Sequence, residues 1–141
     1  MRTVRDEDGR RYVLLKESTD SSLVRDPETG TERHLPNEDL EPAGGDDPLA
    51  VLADGIPEAA RRVVSACHED WHLGLLVDLA DRGPLAAREM LGAYDTCESD
   101  LVGALTELRA AGLVEEATVA GERGYRLTAL GERGAEQLRT A

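Results

Sequence analysis

Cys67, His68, His72 and Cys97 are the residues whose types and spacing come nearest to a reactive or metal-binding set. His68 and His72 stand four apart and would share one face of a helix, a spacing that zinc accepts. No Cys-x2-Cys pair accompanies them, however, and Cys97 falls on the apolar side of its own helical stretch, where a buried structural thiol is the commoner outcome. No metal is therefore expected, and His34 stands alone. Ser, His and Asp are all present, but the chain has no Gly-x-Ser-x-Gly elbow, no P-loop and no dinucleotide fingerprint. Its carboxylates are spread as solvated faces are, not gathered in an apolar setting that would shift their titration. The expectation is a non-enzymatic protein with no catalytic residue and no cofactor.

The charge balance limits partners and location. In 141 residues, 29 acids face 16 bases for a net charge of -13, and Lys16 is the only lysine. That excludes a basic, histone-like nucleic-acid binder. No apolar run approaches the roughly 18 residues of a membrane span, and Met1-Arg2-Thr3-Val4-Arg5-Asp6 does not read as a signal peptide, so a cytoplasmic location without membrane contact is expected. Two cysteines do not make a disulfide framework. A hydrophobic content of 40% with clear periodicity argues against a disordered acidic chain. Abundant carboxylates, one lysine and small apolar side chains resemble the cytoplasmic proteins of salt-in haloarchaea, where molar salt cuts the screening length to about 3 Å. The competing origin is a merely acidic mesophilic protein.

Three segments must position whatever the chain does. Residues 1–42 read as four short strands in a meander: one ahead of the Asp8-Gly9 turn, then Tyr12-Val13-Leu14-Leu15, Ser22-Leu23-Val24 and, after the turn from Asp26 to Gly30, an edge-like fourth, Arg33-His34-Leu35-Pro36. Such a meander could curl into an SH3-like barrel, but about 40 residues make a poor core, so a second domain or a protein partner is expected to support it. Residues 43–56, with Gly44-Gly45-Asp46-Asp47-Pro48 and Asp54-Gly55, read as a linker. Residues 57–141 read as helices interrupted by one hairpin. Stripes at Ala60, Val63, Val64 and Cys67, then at Trp71, Leu75, Leu76 and Leu79, give two helices ending at Gly83-Pro84. A short helix over residues 85–93 follows. A longer one is capped by Asp95 with Glu98 closing a capping box, and it stops at Gly112 with Leu113 folding back on Leu108. Strand, turn at Gly121-Glu122-Arg123-Gly124, and strand precede a last helix capped by Thr128.

Helix, short helix, turn, longer helix, hairpin, helix is the order of a winged helix-turn-helix. The sequence Leu101-x3-Leu105-x2-Leu108-x2-Ala111-Gly112-Leu113-Val114-Glu115, followed by Tyr125-Arg126-Leu127-Thr128-x2-Gly131, resembles the ArsR, MarR and PadR groups of winged-helix transcription regulators over roughly residues 68–140. The resemblance implies a C-terminal winged helix; with the small N-terminal β-meander module read from residues 1–42, the expected fold class is α+β. It further implies a transcriptional regulator that acts by occupying double-stranded DNA. Outer helices commonly form a dimer seam in such regulators, so a homodimer reading paired half-sites is expected.

At about 100° per residue, Leu101, Leu105 and Leu108 fall within about 60° of arc and form the inner face of the longer helix. Ser99, Gly103, Thr106 and Ala110 lie opposite, flanked by Asp100 and Glu107 on one side and by Val102 and Arg109 on the other. Small side chains let the backbone approach a groove, and Ser99 and Thr106 can bond phosphates or base edges. The face has no Arg, Asn or Gln, so direct base readout is expected to be weak. Arg88 on the short helix, Arg123 at the expected wing tip and Arg126 on the returning strand are the implied phosphate and minor-groove contacts. The alternative is that these arginines are surface residues paired with Glu115, Glu116 or Glu122. The winged helix would then be a protein-binding adaptor working through Val102 and its neighbours. A continuous acidic surface around Gly103 and Arg123 would favour that alternative.

Overall fold

A computed structural model describes residues 1–139 of the chain, and contacts divide it into two compact units, Met1–Pro57 and Glu58–Ala141. Each is α+β in local composition. The last two residues of the expected C-terminal domain, 140–141, lie outside the described residues. Among the described residues no helix is long and apolar enough to cross a membrane.

In the first unit, β1 (Arg2–Arg5), β2 (Arg11–Glu17), β3 (Ser21–Arg25), β4 (Glu32–Pro36) and β5 (Glu41–Pro42) form one antiparallel sheet in the order β4-β3-β2-β1-β5. The turns are built by the residues that announced them. Gly9 takes φ 82° while Asp6 Oδ1 accepts from the amides of Asp8 and Arg10, and Gly30 takes φ 74° with its N–H on Asp26 O at 2.8 Å. A 3₁₀ turn (Asn37–Asp39) then brings β5 back beside β1, so the sheet has a fifth strand beyond the expected four. One face buries Val4, Tyr12, Leu14 and Val24, with Leu35 and Leu40 packed at the margin.

Residues 43–56 are not the expected linker. They contain α1 (Pro48–Ala53), and the Gly, Asp and Pro residues that suggested flexibility serve as caps and close contacts. Asp47 caps the helix by accepting from Leu49 N at 3.1 Å, and Pro48 occupies the first helical position, where a missing N–H is harmless. Gly55 lies so close to the Pro27 carbonyl that a Cβ would collide with it. The Thr3 hydroxyl donates to Asp46 O at 2.9 Å, and Arg11 pairs with both Asp46 and Asp54. Val13 and Val51 are both buried, and α1 contacts β1 and β2. The compact unit therefore ends at Pro57, not at residue 42.

The second unit runs α2 (Glu58–Ala66), α3 (Asp70–Arg82), β6 (Leu85–Ala86), α4 (Ala87–Ala93), α5 (Glu98–Ala110), β7 (Val114–Val119), β8 (Glu122–Leu127) and α6 (Ala129–Leu138), with sheet order β6-β8-β7. One core joins them: Leu75, Leu76 and Leu79 from α3, Met90 from α4, Leu101, Leu105 and Leu108 from α5, and Val114, Tyr125 and Leu127 from the hairpin. Gly83 ends α3 at φ 76°, a left-handed value that L side chains avoid. At the far end of α5, Gly112 at φ 77° completes a two-bond stop. Leu113 N donates to Leu108 O and Gly112 N to Arg109 O, both at 2.9 Å, and Leu113 is fully buried.

Several local expectations need correction. The stretch 85–93 opens as a strand, because Leu85 and Ala86 pair with Tyr125 and Gly124 before the helix begins. No Asp95–Glu98 capping box forms. Cys97 is the N-cap, extended at φ -79°, ψ 157°, with no side-chain bond that caps a helix amide. Being outside the helical region, it escapes the wheel that put it on the apolar side, and it is exposed. The hairpin turns at Ala120 (φ 50°) and Gly121 (φ 81°), the two positive values a right-twisted two-residue turn needs. Arg123 consequently sits within β8 opposite Thr118, not at the tip. The apolar stripes of α2 and α6 also meet each other: a Cβ on Gly134 would stand 2.6 Å from Val63 Cγ2 and 3.0 Å from Ala59 O.

Candidate nucleic-acid interface

The sequence of α5 separates two faces sharply. Leu101, Ala104, Leu105 and Leu108 are buried, whereas Ser99, Gly103, Thr106 and Ala110 are exposed. The core leucines hold the helix by its inner face, and the glycine stop, anchored by buried Leu113, fixes the end next to β7. Gly103 has open space around it: a Cβ there would meet nothing within 4 Å, so packing does not require the glycine. The Thr106 hydroxyl donates to Val102 O at 2.8 Å, one turn back on its own helix. The Ser99 hydroxyl lies 3.4 Å from Cys97 Sγ. Val102 is 49% exposed at the edge of this face.

All three singled-out arginines are exposed, and each has a glutamate partner. Arg88 pairs with Glu122 at 3.0 Å, Arg123 with Glu116 at 2.7 Å and Arg126 with Glu115 at 2.8 Å. Glu116 also takes Arg109 of α5 at 3.2 Å, so one carboxylate links the helix to the hairpin through two guanidinium groups. Arg109 and Glu116, with Thr106, Ala110 and Val114, line a groove between α5 and β7. Arg123 also lies over the Tyr125 ring at 6.0 Å. Strand alternation sends Arg123 to the same side as Tyr125 and Glu116, and Arg126 to the other side with Glu115. The two arginines therefore leave the ribbon on opposite sides, although both border one shallow depression near its turn with Thr118 and Gly121. Between Glu98 and Leu127 there are six carboxylates and three arginines. The region is net acidic, although exposed pairs of this kind contribute only about 0–1 kcal/mol and exchange readily.

The other candidate cluster is arranged differently from a ligand set. His72 Nδ1 accepts from the His68 amide at 3.1 Å, while His68 Nε2 faces Glu107 Oε2 at 3.2 Å. Burial, and secondarily the charge of Glu107, pushes the half-buried Cys67 thiol up from its ordinary value, away from a metal-ready thiolate. Among the described residues no three His, Cys, Asp or Glu side chains are grouped to hold a metal ion.

A triad that sequence reasoning missed joins α3 to the α4–α5 connection. Asp78 Oδ2 accepts from the Tyr94 hydroxyl at 2.5 Å and from Arg82 at 2.7 Å. The Arg82 bond, then the Tyr94 bond, holds the Asp78 carboxyl below its usual range. Tyr94 is pushed up to about 12, first by burial and then by its bond to Asp78. The i,i+4 spacing of Asp78 and Arg82 was visible in the sequence; nothing local announced Tyr94. Glu89 reaches Arg82 at 3.6 Å, adding α4 to the same corner.

No curated protein and no solved structure matches the chain. A family does match, over residues 1–139, and nearly the whole polypeptide is covered: the chain belongs to the family of unknown function DUF7346.

Proposed function

We propose that the second unit is a winged helix-turn-helix and that the protein is a DNA-binding transcriptional regulator. The observation that carries this reading is the two-faced α5, leucines inward and Ser99, Gly103, Thr106 and Ala110 outward, beside a hairpin bearing Arg123. In this reading α3, α4 and α5 are the three helices, β6 adds to the hairpin as a third strand, and β7–β8 is the wing. The open flank of α5 enters the major groove, and its small side chains allow close backbone approach. Arg123 exchanges Glu116 for a phosphate, and Arg88 and Arg126 make separate backbone contacts on the other side of the ribbon. Specificity rests more on duplex shape than on base edges, since the exposed flank has no bidentate reader. The surplus of carboxylates is a solvation device suited to concentrated salt.

Pairing of two copies on two half-sites would have to use what α2 and α6 leave outside, Val64 and Leu138, because their main stripes face each other. The N-terminal sheet is a second contact module for a protein partner.

A second reading has its own support. The three glutamates that neutralise Arg88, Arg123 and Arg126, together with exposed Val102, suit an adaptor that binds a protein through α5. A mobility-shift titration in KCl separates the two. Binding that persists into molar salt and is abolished by Arg123→Glu supports the regulator, whereas indifference to that substitution at every salt supports the adaptor.

A further inference from the structure

A cleft on the second unit lies between α3 and the α4–α5 connection, away from the hairpin. It is lined by Trp71 and Gly74 of α3, by Tyr94, Asp95 and Thr96, and by Asp100 in the first turn of α5. Its volume is about 870 Å³, in the range of small-molecule sites. No arginine or lysine lines it. The polar atoms of its two aromatic residues are already engaged: the Trp71 indole N–H donates to Glu69 at 3.1 Å and the Tyr94 hydroxyl to Asp78 at 2.5 Å. Their rings pack in part against the core, the Trp71 ring also meeting His72 at 4.2 Å, and what they show to the cleft is apolar. Asp95 and Asp100, by contrast, enter no ion pair or side-chain hydrogen bond among the described residues, in a chain where arginines pair with carboxylates along most of its length. Gly74 sits inside a helix, where glycine is disfavoured, yet a Cβ there would meet nothing within 4 Å. Packing does not account for it; an unobstructed cleft does.

Two aromatic residues and two unpaired carboxylates around one cavity select among ligands. Anions are repelled, and a neutral apolar molecule gains nothing from the carboxylates. A bare metal ion lacks a third protein ligand. We propose that this cleft binds a small organic cation of the alkylammonium class, its apolar body against Trp71 and Tyr94 and its charge towards Asp95 and Asp100. Cation attraction to aromatic faces strengthens when water is excluded, and an alkylated ammonium loses less hydration on entry than potassium does. Because the cleft reaches from α3 to the start of α5, its occupant fixes how α5 leaves the preceding loop. This holds whether α5 meets DNA or a protein.

The test uses the full chain in about molar KCl, where non-specific ion pairing is screened. Trp71 is the only tryptophan, so its emission reports occupancy directly. Choline is the probe, and 3,3-dimethylbutan-1-ol, its uncharged analogue of the same shape, is the comparison. Choline is expected to bind at least about tenfold more tightly than the alcohol, and Asp95→Asn/Asp100→Asn should remove that preference. Gly74→Leu, which fills the cleft from an exposed position, should abolish choline binding with an unchanged circular dichroism spectrum. Equal binding of the two probes, no response to either, or a preference that survives the double substitution overturns the proposal. The comparison of the two probes on the unaltered protein stands even if a variant fails to fold.

Discussion

Glu116 is where the regulator reading is most exposed to test. Its Oε1 holds Arg109 at 3.2 Å and Arg123 at 2.7 Å, and Arg123 must turn from it to reach a phosphate. Glu116→Gln keeps the size and removes the competing charge. An exposed pair of this kind is weak, so freeing Arg123 should raise affinity for duplex DNA only about 1.5-fold to fivefold. Removing a negative charge near the phosphates acts in the same direction and fades as salt shortens the screening length. Three phosphate contacts from Arg88, Arg123 and Arg126 give a slope of log K against log salt of about -2.7, which Arg123→Gln should reduce in size by about 0.9. Fluorescence anisotropy on a short labelled duplex, over about 0.1 M to about 2 M KCl, reads both quantities. Tighter binding for Glu116→Gln, by a margin that narrows as salt rises, is the expected pattern. An affinity within the error of the unaltered protein, combined with a slope indifferent to Arg123, would refute the contact scheme.

Three further outcomes follow from the same geometry. Gly103→Ala, with open space at the new methyl, should stabilise the protein by about 0.5–1 kcal/mol in urea unfolding yet weaken DNA binding, because the helix backbone can no longer approach as closely. Asp78→Asn should destabilise the protein by about 1 kcal/mol near neutral pH, the bonds from Arg82 and Tyr94 being partly exposed. Since the folded state lowers the Asp78 titration, its contribution is complete above the ordinary carboxylate value and disappears as pH falls through the lowered one; the variant's stability should therefore decline less than the parent's over that acid range. Exposed Cys97 should react with a thiol reagent faster than Cys67, whose thiol is half-buried and raised by that burial; equal rates in the folded protein would contradict the placement.

The parts of this fold that could be read from sequence are those governed by neighbours within one turn. Gly112 followed by Leu113 announced the end of α5, and Thr128 announced the start of α6, where its hydroxyl accepts from Gly131 N at 3.1 Å. The leucine spacing of α5 likewise separated its two faces. Misreadings arose where one residue type serves two purposes. Asp47, Pro48 and Gly55 look like a flexible connector, but they act as cap, helix opener and close contact, and only the packed sheet distinguishes those uses. Ala120 in a left-handed conformation gives no warning in sequence, so the turn falls before the tip expected at Arg123. Cys97 left the helical wheel because a cap residue does not follow helical geometry. Which glutamate meets which arginine, and that Tyr94 reaches Asp78, depend on tertiary placement, which spacing does not encode.

The short strand β6 has a mechanical consequence. It pairs with β8 only at Leu85↔Tyr125 and Ala86↔Gly124, and Gly124 is the position where the Leu85 carbonyl comes too close for any side chain. Up to that point the ribbon is three strands wide and braced against the body; beyond it, from Arg123 outward, two strands stand alone. A two-stranded ribbon by itself is only marginally stable in water. The hairpin is thus a stiff stalk with a compliant end, and Arg123 is the first residue past the pivot, its side chain tied back to Glu116 on the anchored part.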